Sequence, residues 1–173
     1  MNLTFIRDAT PPDAPKIYNL IVLAYAEAEQ QLKLPNGIAA LKEGSTDILR
    51  DMHLKTLLVC TKNSDVIGTV RFRIFTQKDG AKLAYISRLC VLPDDQKNGT
   101  GSALLAEVEK RCRAQGVDML SLHAPAAIKK LVRFYLKNGF DLFYTTTDRG
   151  YLRGLFVKKL TERKASLTPL WSL

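Results

Sequence analysis

Apolar residues recur every three to four positions in several stretches of this chain, and that spacing predicts helices with one apolar face. The clearest helix covers residues 102–115, and its apolar stripe consists of Leu104, Leu105, Val108 and Cys112. A second helix is predicted to follow Thr10, a suitable N-cap, and another has Pro125 in its first turn. Residues 38–52 indicate one or two short helices, with an interruption near Gly44.

Between these helices, apolar and polar residues alternate with the two-residue period of a β-strand. The longest run covers residues 66–76; its inward face is predicted to consist of Val70, Phe72 and Ile74, and its other face of Thr69, Arg71, Arg73 and Phe75. The remaining predicted strands cover residues 3–7, 56–61, 82–92, 118–124, 140–147 and 151–160. The last two form a predicted hairpin. This order predicts an α/β fold, with a mixed central sheet of about six or seven strands flanked by about four helices.

Length and composition are typical of one globular domain. The chain has 173 residues, 46% of them hydrophobic, and we predict a single domain over 1–173 with a core over about 3–160 and a tail over 161–173. Its three cysteines, Cys60, Cys90 and Cys112, lack metal-ligand spacing, so we predict buried, reduced thiols and no metal. No signal peptide or apolar run of about 18 residues is visible, which predicts a cytoplasmic protein that does not enter a membrane.

The net charge of +9 is concentrated in the last third of the chain. Residues 125–173 contain ten Lys or Arg and three Asp or Glu. A basic surface of this kind suits nucleic acid, a polyphosphate ligand or simple solvation. Because no nucleic-acid motif accompanies the basic residues, we favour the ligand and solvation and expect no nucleic-acid partner.

Candidate chemistry is concentrated between residues 89 and 116. An apolar run ends at Pro93, a polar loop carries Gly99 and Gly101, and the helix 102–115 follows. The first N–H groups of a helix lack intrahelical partners and its dipole is positive there, so a phosphate binds readily at such a loop. The spacing fits neither the P-loop nor the dinucleotide-binding fingerprint. On these residues alone, an anion site and an ordinary strand-to-helix connection both stay open.

Two motifs favour the anion site through their resemblance to a known family. Residues 96–101, Gln-Lys-Asn-Gly-Thr-Gly, fit the pattern Q/R-x-x-G-x-G/A. Residues 134–140, Phe-Tyr-Leu-Lys-Asn-Gly-Phe, resemble the pattern FYxKxGF. Both patterns are signatures of the GNAT family of acetyl-CoA-dependent N-acyltransferases, and the predicted order of elements is similar to that family's over nearly the whole domain. The resemblance implies a GNAT-like sheet and acetyl-CoA as cosubstrate, with no metal.

The resemblance also implies roles for particular residues. The pyrophosphate of the cosubstrate would lie on the loop and helix start, which consist of Gln96, Lys97, Asn98, Gly99, Thr100, Gly101 and Ser102. The backbone around Leu89, Cys90 and Val91 would hold the pantetheine and polarise the thioester carbonyl. Tyr135 would protonate the CoA thiolate, although its place on the apolar stripe of a helix also suits a core aromatic residue.

Two departures from the family pattern leave the general base unidentified. The strand before the loop carries Tyr85, Ser87 and Arg88, where many members have a glutamate. Ile128 stands where many members have an asparagine, seven residues before the tyrosine. His123 is a further candidate, because the unperturbed pKa of a histidine is near 6.5, but a histidine in an apolar strand is more often a satisfied core residue.

We therefore predict an N-acetyltransferase that moves an acetyl group from acetyl-CoA to a primary amine of a small molecule or protein, by direct attack in a ternary complex. The alternative is a non-catalytic CoA-binding or regulatory module, which keeps the loop and loses the chemistry. The amine acceptor is left open. The oligomeric state is also open, with a homodimer among the alternatives.

Overall fold

Helices and strands follow one another in the order that the apolar pattern predicts. The computed structural model describes residues 4–34, 37–163 and 165–167. In those residues the helices are α1 (Ala14–Leu32), α2 (Ser45–Leu54), α3 (Thr100–Ala114) and α4 (Lys129–Lys137). The strands are β1 (Thr4–Asp8), β2 (Thr56–Lys62), β3 (Asp65–Thr76), β4 (Lys82–Val91), β5 (Met119–Pro125), β6 (Asp141–Thr146) and β7 (Arg153–Lys159). Residue 3 of the first predicted strand and residues 164 and 168–173 of the predicted tail lie outside the described residues.

The strands form one mixed sheet in the order β1-β2-β3-β4-β5-β7-β6. β1 pairs with β2, β5 with β7 and β6 with β7 in antiparallel ladders. β4 and β5 are parallel, with Leu83 opposite Met119 and Ile86 opposite Leu122. Parallel neighbours need a crossover, and α3 lies between β4 and β5 in the chain. The predicted α/β fold with a mixed central sheet is confirmed.

The chain divides into two compact units, of which the first contains Met1–Arg71 and Arg88–Glu107. Its largest apolar cluster brings Ile17 and Leu20 of α1 together with Ile48 of α2 and Val59 of β2. Each of these side chains is at most 2% exposed. Burial of one aliphatic side chain of this size contributes about 1.5–3 kcal/mol to folding, so this cluster fixes α1 and α2 on the strands.

Helix starts in the first unit use the signals that the sequence contains. Thr10 is the N-cap of a 3-10 helix over Pro11–Asp13, and its backbone N–H donates to the Asp13 carboxylate at 2.7 Å, so the predicted cap is confirmed. α2 begins after Gly44, whose N–H donates to Asp47 Oδ2 at 3.0 Å. That donation lowers the pKa of Asp47. A separate 3-10 helix over Ala39–Lys42 confirms the predicted interruption near Gly44.

The second unit contains Phe72–Ser87 and Val108–Leu173. Leu83, Met119, Leu155 and Val157 form an apolar cluster there. The predicted hairpin is confirmed as β6 and β7, which pair from Asp141 opposite Val157 onwards. The single domain predicted over 1–173 stays a prediction.

The predicted place of Pro125 is wrong. Pro125 is the last residue of β5, in its ladder with β7, and α4 starts only at Lys129. The fixed φ of proline suits the end of a strand as well as the first turn of a helix. The next N–H group, that of Ala126, donates to the Leu152 carbonyl at 2.8 Å, so the backbone directly after Pro125 is bonded outside any helix.

β3 is buried on both of its faces in its first half. Val70 and Phe72 are buried as predicted, but Thr69 and Arg71 on the other face are also at most 1% exposed. Strands inside a sheet are often covered on both sides. The Thr69 hydroxyl is satisfied by the Leu58 carbonyl at 2.9 Å, whereas Arg71 depends on carboxylates from elsewhere in the first unit.

Candidate active site

In the first unit, the loop between β4 and α3 is anchored at both of its sides. The Gln96 side-chain amide donates to the Val91 carbonyl at 3.2 Å, which ties the loop to the end of β4. Asp95 accepts a hydrogen bond from Lys62 of β2 at 2.9 Å. At the start of α3, a Cβ added to Gly68 of β3 would lie only 3.2 Å from the Thr100 methyl group. The absence of a Cβ therefore lets α3 begin close against β3.

The backbone of this loop forms an anion-binding geometry. Lys97 and Gly99 have positive φ angles of 67° and 82°. Alternation of left-handed residues with ordinary ones turns successive N–H groups into one concavity. Ala103 makes the first helical bond, to the Gly99 carbonyl at 2.9 Å, so the N–H groups of the three residues before it have no intrahelical acceptor. A Cβ added to Gly99 would meet no atom within 4 Å, which leaves the loop open to a phosphate.

The strand that leads into the loop has a kink. Arg88 has a φ angle of 53°, in the left-handed region that arginine seldom adopts. The predicted pantetheine-binding residues Leu89, Cys90 and Val91 follow directly, and Cys90 and Val91 are each 8% exposed. Just past them, the Leu92 N–H donates to the Ile67 carbonyl of β3 at 2.8 Å, which ties the end of this segment to β3.

A carboxylate reaches this kinked strand from elsewhere in the first unit. Glu43, just after the 3-10 helix Ala39–Lys42, accepts hydrogen bonds from Nε of Arg88 at 2.9 Å and from its Nη2. Glu43 also lies 2.9 Å from Arg71 Nη1, which donates to Asp51 Oδ2 at 2.6 Å. The strand itself therefore carries no acid, as the sequence shows, but an acid lies beside it.

The three cysteines are buried and unbridged, so the predicted buried, reduced thiols are confirmed. Burial raises the pKa of Cys90 above that of an ordinary thiol, and it raises the pKa of Cys112 to about 12. The pKa of Cys60 is raised by the same cause. A thiol must ionise to attack a carbonyl, so none of the three is suited to act as a nucleophile.

In the second unit, the ring of Tyr135 lies in an aromatic cluster. Tyr135 of α4 is 7% exposed, and its ring centroid lies 5.2 Å from those of Phe134 and Phe156 and 6.0 Å from that of Phe140. Tilted and edge-to-face contacts of this kind hold an aromatic ring firmly. α4 ends at Lys137, and Gly139 has a positive φ angle, as the Asn-Gly pair predicts.

His123 of β5 also lies in the second unit. Its Nδ1 is 3.0 Å from the Tyr85 hydroxyl. Burial, followed by the nearby charge of Arg153, lowers the pKa of His123 to about 4. The imidazole is therefore uncharged near neutral pH and has a hydrogen-bond partner, which fits the satisfied core histidine that the sequence suggests.

Basic residues of α4 line a shallow hollow on the second unit. Lys129 and Arg133 lie one turn apart and border it with Ala126 and Val132. Both basic residues are exposed. This arrangement offers a surface to an anionic group in the basic third of the chain.

Comparison with known proteins places the chain in a family. The sequence model of the acetyltransferase (GNAT) family matches residues 14–140. The chain belongs to the GNAT acetyltransferase family. The predicted resemblance and enzyme class are confirmed at that level. The match covers both motifs, the kinked strand and the Glu43 and Arg71 positions.

One relative and two solved structures are similar to this chain. The tRNA(Met) cytidine acetyltransferase TmcA of Thermococcus sp. (strain AM4) is 33% identical over 96 residues, which are 52% of this chain and 12% of that protein. The chain thus spans a small part of that curated relative. PaiA N-acetyltransferase of Thermoplasma acidophilum, solved in complex with coenzyme A, is 20% identical with a TM-score of 0.75, covering 91% of this chain and 99% of that one. The ribosomal-protein-S18-alanine N-acetyltransferase of Escherichia coli is 18% identical, with a TM-score of 0.72 and coverage of 95% and 99%.

Two further properties bear on the kind of site in this GNAT chain. Across residues 4–34, 37–163 and 165–167, no helix is long and apolar enough to cross a membrane. The same residues contain no group of three or more His, Cys, Asp or Glu side chains that could hold a metal ion.

Sequence reasoning located the loop and the tyrosine but missed the charged cluster. The loop residues and the Leu89–Val91 segment lie together in the first unit, and Tyr135 lies in the second. Glu43 and Arg71 were not recognised as site residues. No clear signal was available, because the alternation of β3 places Arg71 on the same face as Arg73, which is exposed.

Proposed function

We propose that this GNAT-family chain transfers the acetyl group of acetyl-CoA to a primary amine of a small molecule or protein. The observation that carries the proposal is the open, left-handed Gly99 loop at the start of α3, within the segment that matches the family. The relative PaiA, which has the same fold, was solved with coenzyme A. We also propose a cytoplasmic location, because three free thiols are typical of a reducing compartment. A homodimer stays a prediction.

Backbone groups of the first unit would hold the cosubstrate. The N–H groups from Lys97 to Ser102 would donate to its pyrophosphate, since the helix dipole and the unbonded N–H groups favour negative charge there. The N–H of Gln96, the first residue predicted for this role, donates to the Pro93 carbonyl at 3.3 Å instead. The backbone of Leu89, Cys90 and Val91 would hold the pantetheine and donate to the thioester oxygen. A donor placed where negative charge develops stabilises the transition state most.

Acetyl-CoA supplies a thioester carbonyl, to which an uncharged amine adds as the C–N bond forms and the C–S bond breaks. Tyr135 would donate its phenolic proton to the departing sulfur, because a phenol with an ordinary pKa near 10 is protonated at neutral pH. The amine nitrogen loses its proton to solvent water as the amide forms. The protonated cysteines favour direct attack by the amine over an acyl-cysteine route.

The acceptor proposed here is a chemical class, not a compound. The acceptors in the names of two relatives, a tRNA cytidine and an alanine of ribosomal protein S18, share only an amine. A primary amine is therefore the group that we propose for this chain. The alternative function, a CoA-binding module without chemistry, would use the same loop and would not need the Tyr135 hydroxyl.

A thiol-release assay with acetyl-CoA tests the proposal. The amine panel contains spermidine, an aminoglycoside, a peptide with a free N-terminus and a lysine peptide with a blocked N-terminus. We expect at least one amine to accelerate thiol release, with the acetylated product seen by mass spectrometry. Calorimetric CoA binding without thiol release from any amine would favour the binding module, and absence of CoA binding would contradict both functions.

A further inference from the structure

A chain of alternating charges runs through the first unit. Lys55 donates to Asp51 at 2.9 Å, and Asp51 accepts from Arg71 Nη1 at 2.6 Å. Arg71 Nη1 lies 2.9 Å from Glu43 Oε2, and Glu43 Oε1 accepts from Arg88. Cations and anions thus alternate from helix α2 across strand β3 to the kink of strand β4. Each of the two carboxylates in this chain of charges lies between two cations.

Arg71 is the buried centre of this chain of charges. Its side chain is 1% exposed, against 10% for Asp51 and 20% for Glu43. Among the described residues, its Nε and Nη2 atoms make no hydrogen bond, so both of its carboxylate contacts are made through Nη1. Glu43 Oε2 is close enough for an ion pair but is not aligned for a hydrogen bond. A buried charge held in this way is costly to separate from its partners.

Arg88, at the outer end of this chain of charges, has an unfavourable backbone conformation. Arg88 has the left-handed φ angle of 53°, where its Cβ crowds the following carbonyl oxygen. Two nitrogen atoms of its guanidinium group, Nε and Nη2, donate to the same oxygen of Glu43, Oε1. Glu43 therefore holds Arg88 from one side, at the residue directly before the Leu89–Val91 segment.

We propose that Glu43, held in place by Arg71, is a positioning residue that fixes the kink at Arg88 and thereby aims the backbone N–H groups of Leu89–Val91 at the thioester. The inference rests on the proposed function, since it assigns those N–H groups to the acetyl carbonyl. Glu43 acts through Arg88 and contacts no reacting atom. The kink, and not the Arg88 guanidinium, is what acetyl-CoA recognises.

A matched pair of substitutions at Arg88 distinguishes the effect of its backbone conformation from the effect of its guanidinium group. Arg88→Gly removes the guanidinium but adopts the left-handed conformation at no steric cost, whereas Arg88→Ala removes the guanidinium and keeps the Cβ that opposes the kink. Calorimetry measures the affinities for acetyl-CoA and for CoA. We expect Arg88→Ala to lower the preference for acetyl-CoA over CoA by about 5- to 30-fold, and Arg88→Gly to preserve that preference.

The carbonyl of [1-13C]acetyl-CoA gives a second readout. We expect its bound chemical shift to stay displaced from the free value in Arg88→Gly and to move back towards it in Arg88→Ala. Glu43→Gln should behave like Arg88→Ala alone and should have no further effect in an Arg88→Gly background. Arg50→Ala is the control, because it removes an exposed guanidinium from the same helix α2 as Asp51.

Each outcome of these measurements decides between accounts. Equal losses in Arg88→Gly and Arg88→Ala would show that the guanidinium itself acts, and would overturn the proposal. If Arg88→Ala kept the wild-type preference for acetyl-CoA over CoA, the kink would need no anchor, and the proposal would also be overturned. If Arg88→Ala does not fold, the effect of Glu43→Gln with and without Arg88→Gly carries the test. Failure of the wild-type protein to bind acetyl-CoA would reject the proposed function, and this inference with it.

Discussion

The glycine loop and helix α4 carry the two family motifs, yet they offer different kinds of functional group. The loop offers backbone N–H groups, and its shape depends on left-handed residues such as Gly99. Helix α4 offers one side-chain hydroxyl, that of Tyr135, on a ring fixed by three phenylalanines. A site made of backbone is sensitive to changes of chain conformation, whereas a site made of side chains is sensitive to the loss of single atoms. The predictions below use that difference.

The largest effect is expected from the loss of one oxygen atom on α4. Tyr135→Phe keeps the ring and its packing but removes the hydroxyl that we propose as the acid for the CoA thiolate. We expect kcat to fall by about 10²–10⁴, because that is the usual contribution of a positioned general acid. KM for acetyl-CoA should change little if the hydroxyl acts mainly in the transition state. Steady-state kinetics with the best amine of the panel measures both constants.

Tyr144→Phe is the matched control, since it makes the same chemical change on the exposed strand β6. Thermal melting of both variants tests whether packing is preserved. A kcat near the wild-type value in Tyr135→Phe, with chemistry shown to be rate-limiting, would reduce Tyr135 to a core aromatic residue. Helix α4 would then contribute no functional side chain to compare with the backbone groups of the loop.

The next effect concerns His123, a buried side chain of the second unit. Burial lowers its pKa to about 4, so the unfolded chain binds a proton more readily than the folded one between pH 6.5 and pH 4. Its contribution to stability is therefore complete above pH 6.5 and is lost as the pH falls towards 4. The expected loss is about 1–3 kcal/mol. Urea denaturation at several pH values measures it.

His123→Gln should remove most of this pH dependence, whereas His53→Gln should leave it intact, because His53 is exposed. Parallel stability curves for the wild type and His123→Gln would contradict the prediction. They would also reopen the question of whether His123 titrates near neutral pH and acts as the general base.

A change of backbone shape should affect the loop. Gly99 has a φ angle of 82°, where a side chain costs about 1–2 kcal/mol, so Gly99→Val should weaken CoA binding by about 5- to 30-fold. Gly101→Val tests the second glycine of the motif. Gly116→Val is the control, because Gly116 also has a positive φ angle and open space, but follows the other end of α3. Calorimetry that gives equal losses for Gly99→Val and Gly116→Val would contradict a specific loop site.

The smallest effect should come from charges around the site. Lys129, Lys130 and Arg133 of α4, with Lys97 of the loop, are candidates to bind the 3′-phosphate of CoA. Exposed charge pairs contribute about 0.2–1 kcal/mol, so neutralising one residue should weaken CoA binding about 2- to 5-fold and dephospho-CoA binding less. CoA affinity should also fall with salt. Equal losses for both ligands at all four positions would exclude a 3′-phosphate role.

The sequence allowed most of the fold to be predicted, because the apolar spacing of elements such as α3 is a local property. Pro125 was misplaced because its local preferences suit two structures, and the β5–β7 ladder decided between them. Pairing is the kind of information that spacing does not contain. The same limit explains why the sequence did not predict that both faces of β3 are buried around Arg71.

In the candidate site, too, features that depend on local sequence could be predicted, and features that depend on distant contacts could not. Gly99 marks a backbone conformation in the sequence itself, so the loop was found. The kink at Arg88 was not, because an arginine replaces the glycine that would mark a positive φ angle, and it is held by Glu43, 45 residues earlier in the chain. The catalytic role of Tyr135 stays a prediction from the motif, since packing and catalysis would place the same residue there.

The central claim is that CoA binds to backbone N–H groups at the start of α3. A 1H–15N correlation spectrum recorded during titration with CoA tests it most directly. We predict that the largest amide shifts, downfield as expected for N–H groups that donate to phosphate, occur in residues 97–102. Saturable CoA binding that leaves those amides unshifted would contradict the claim.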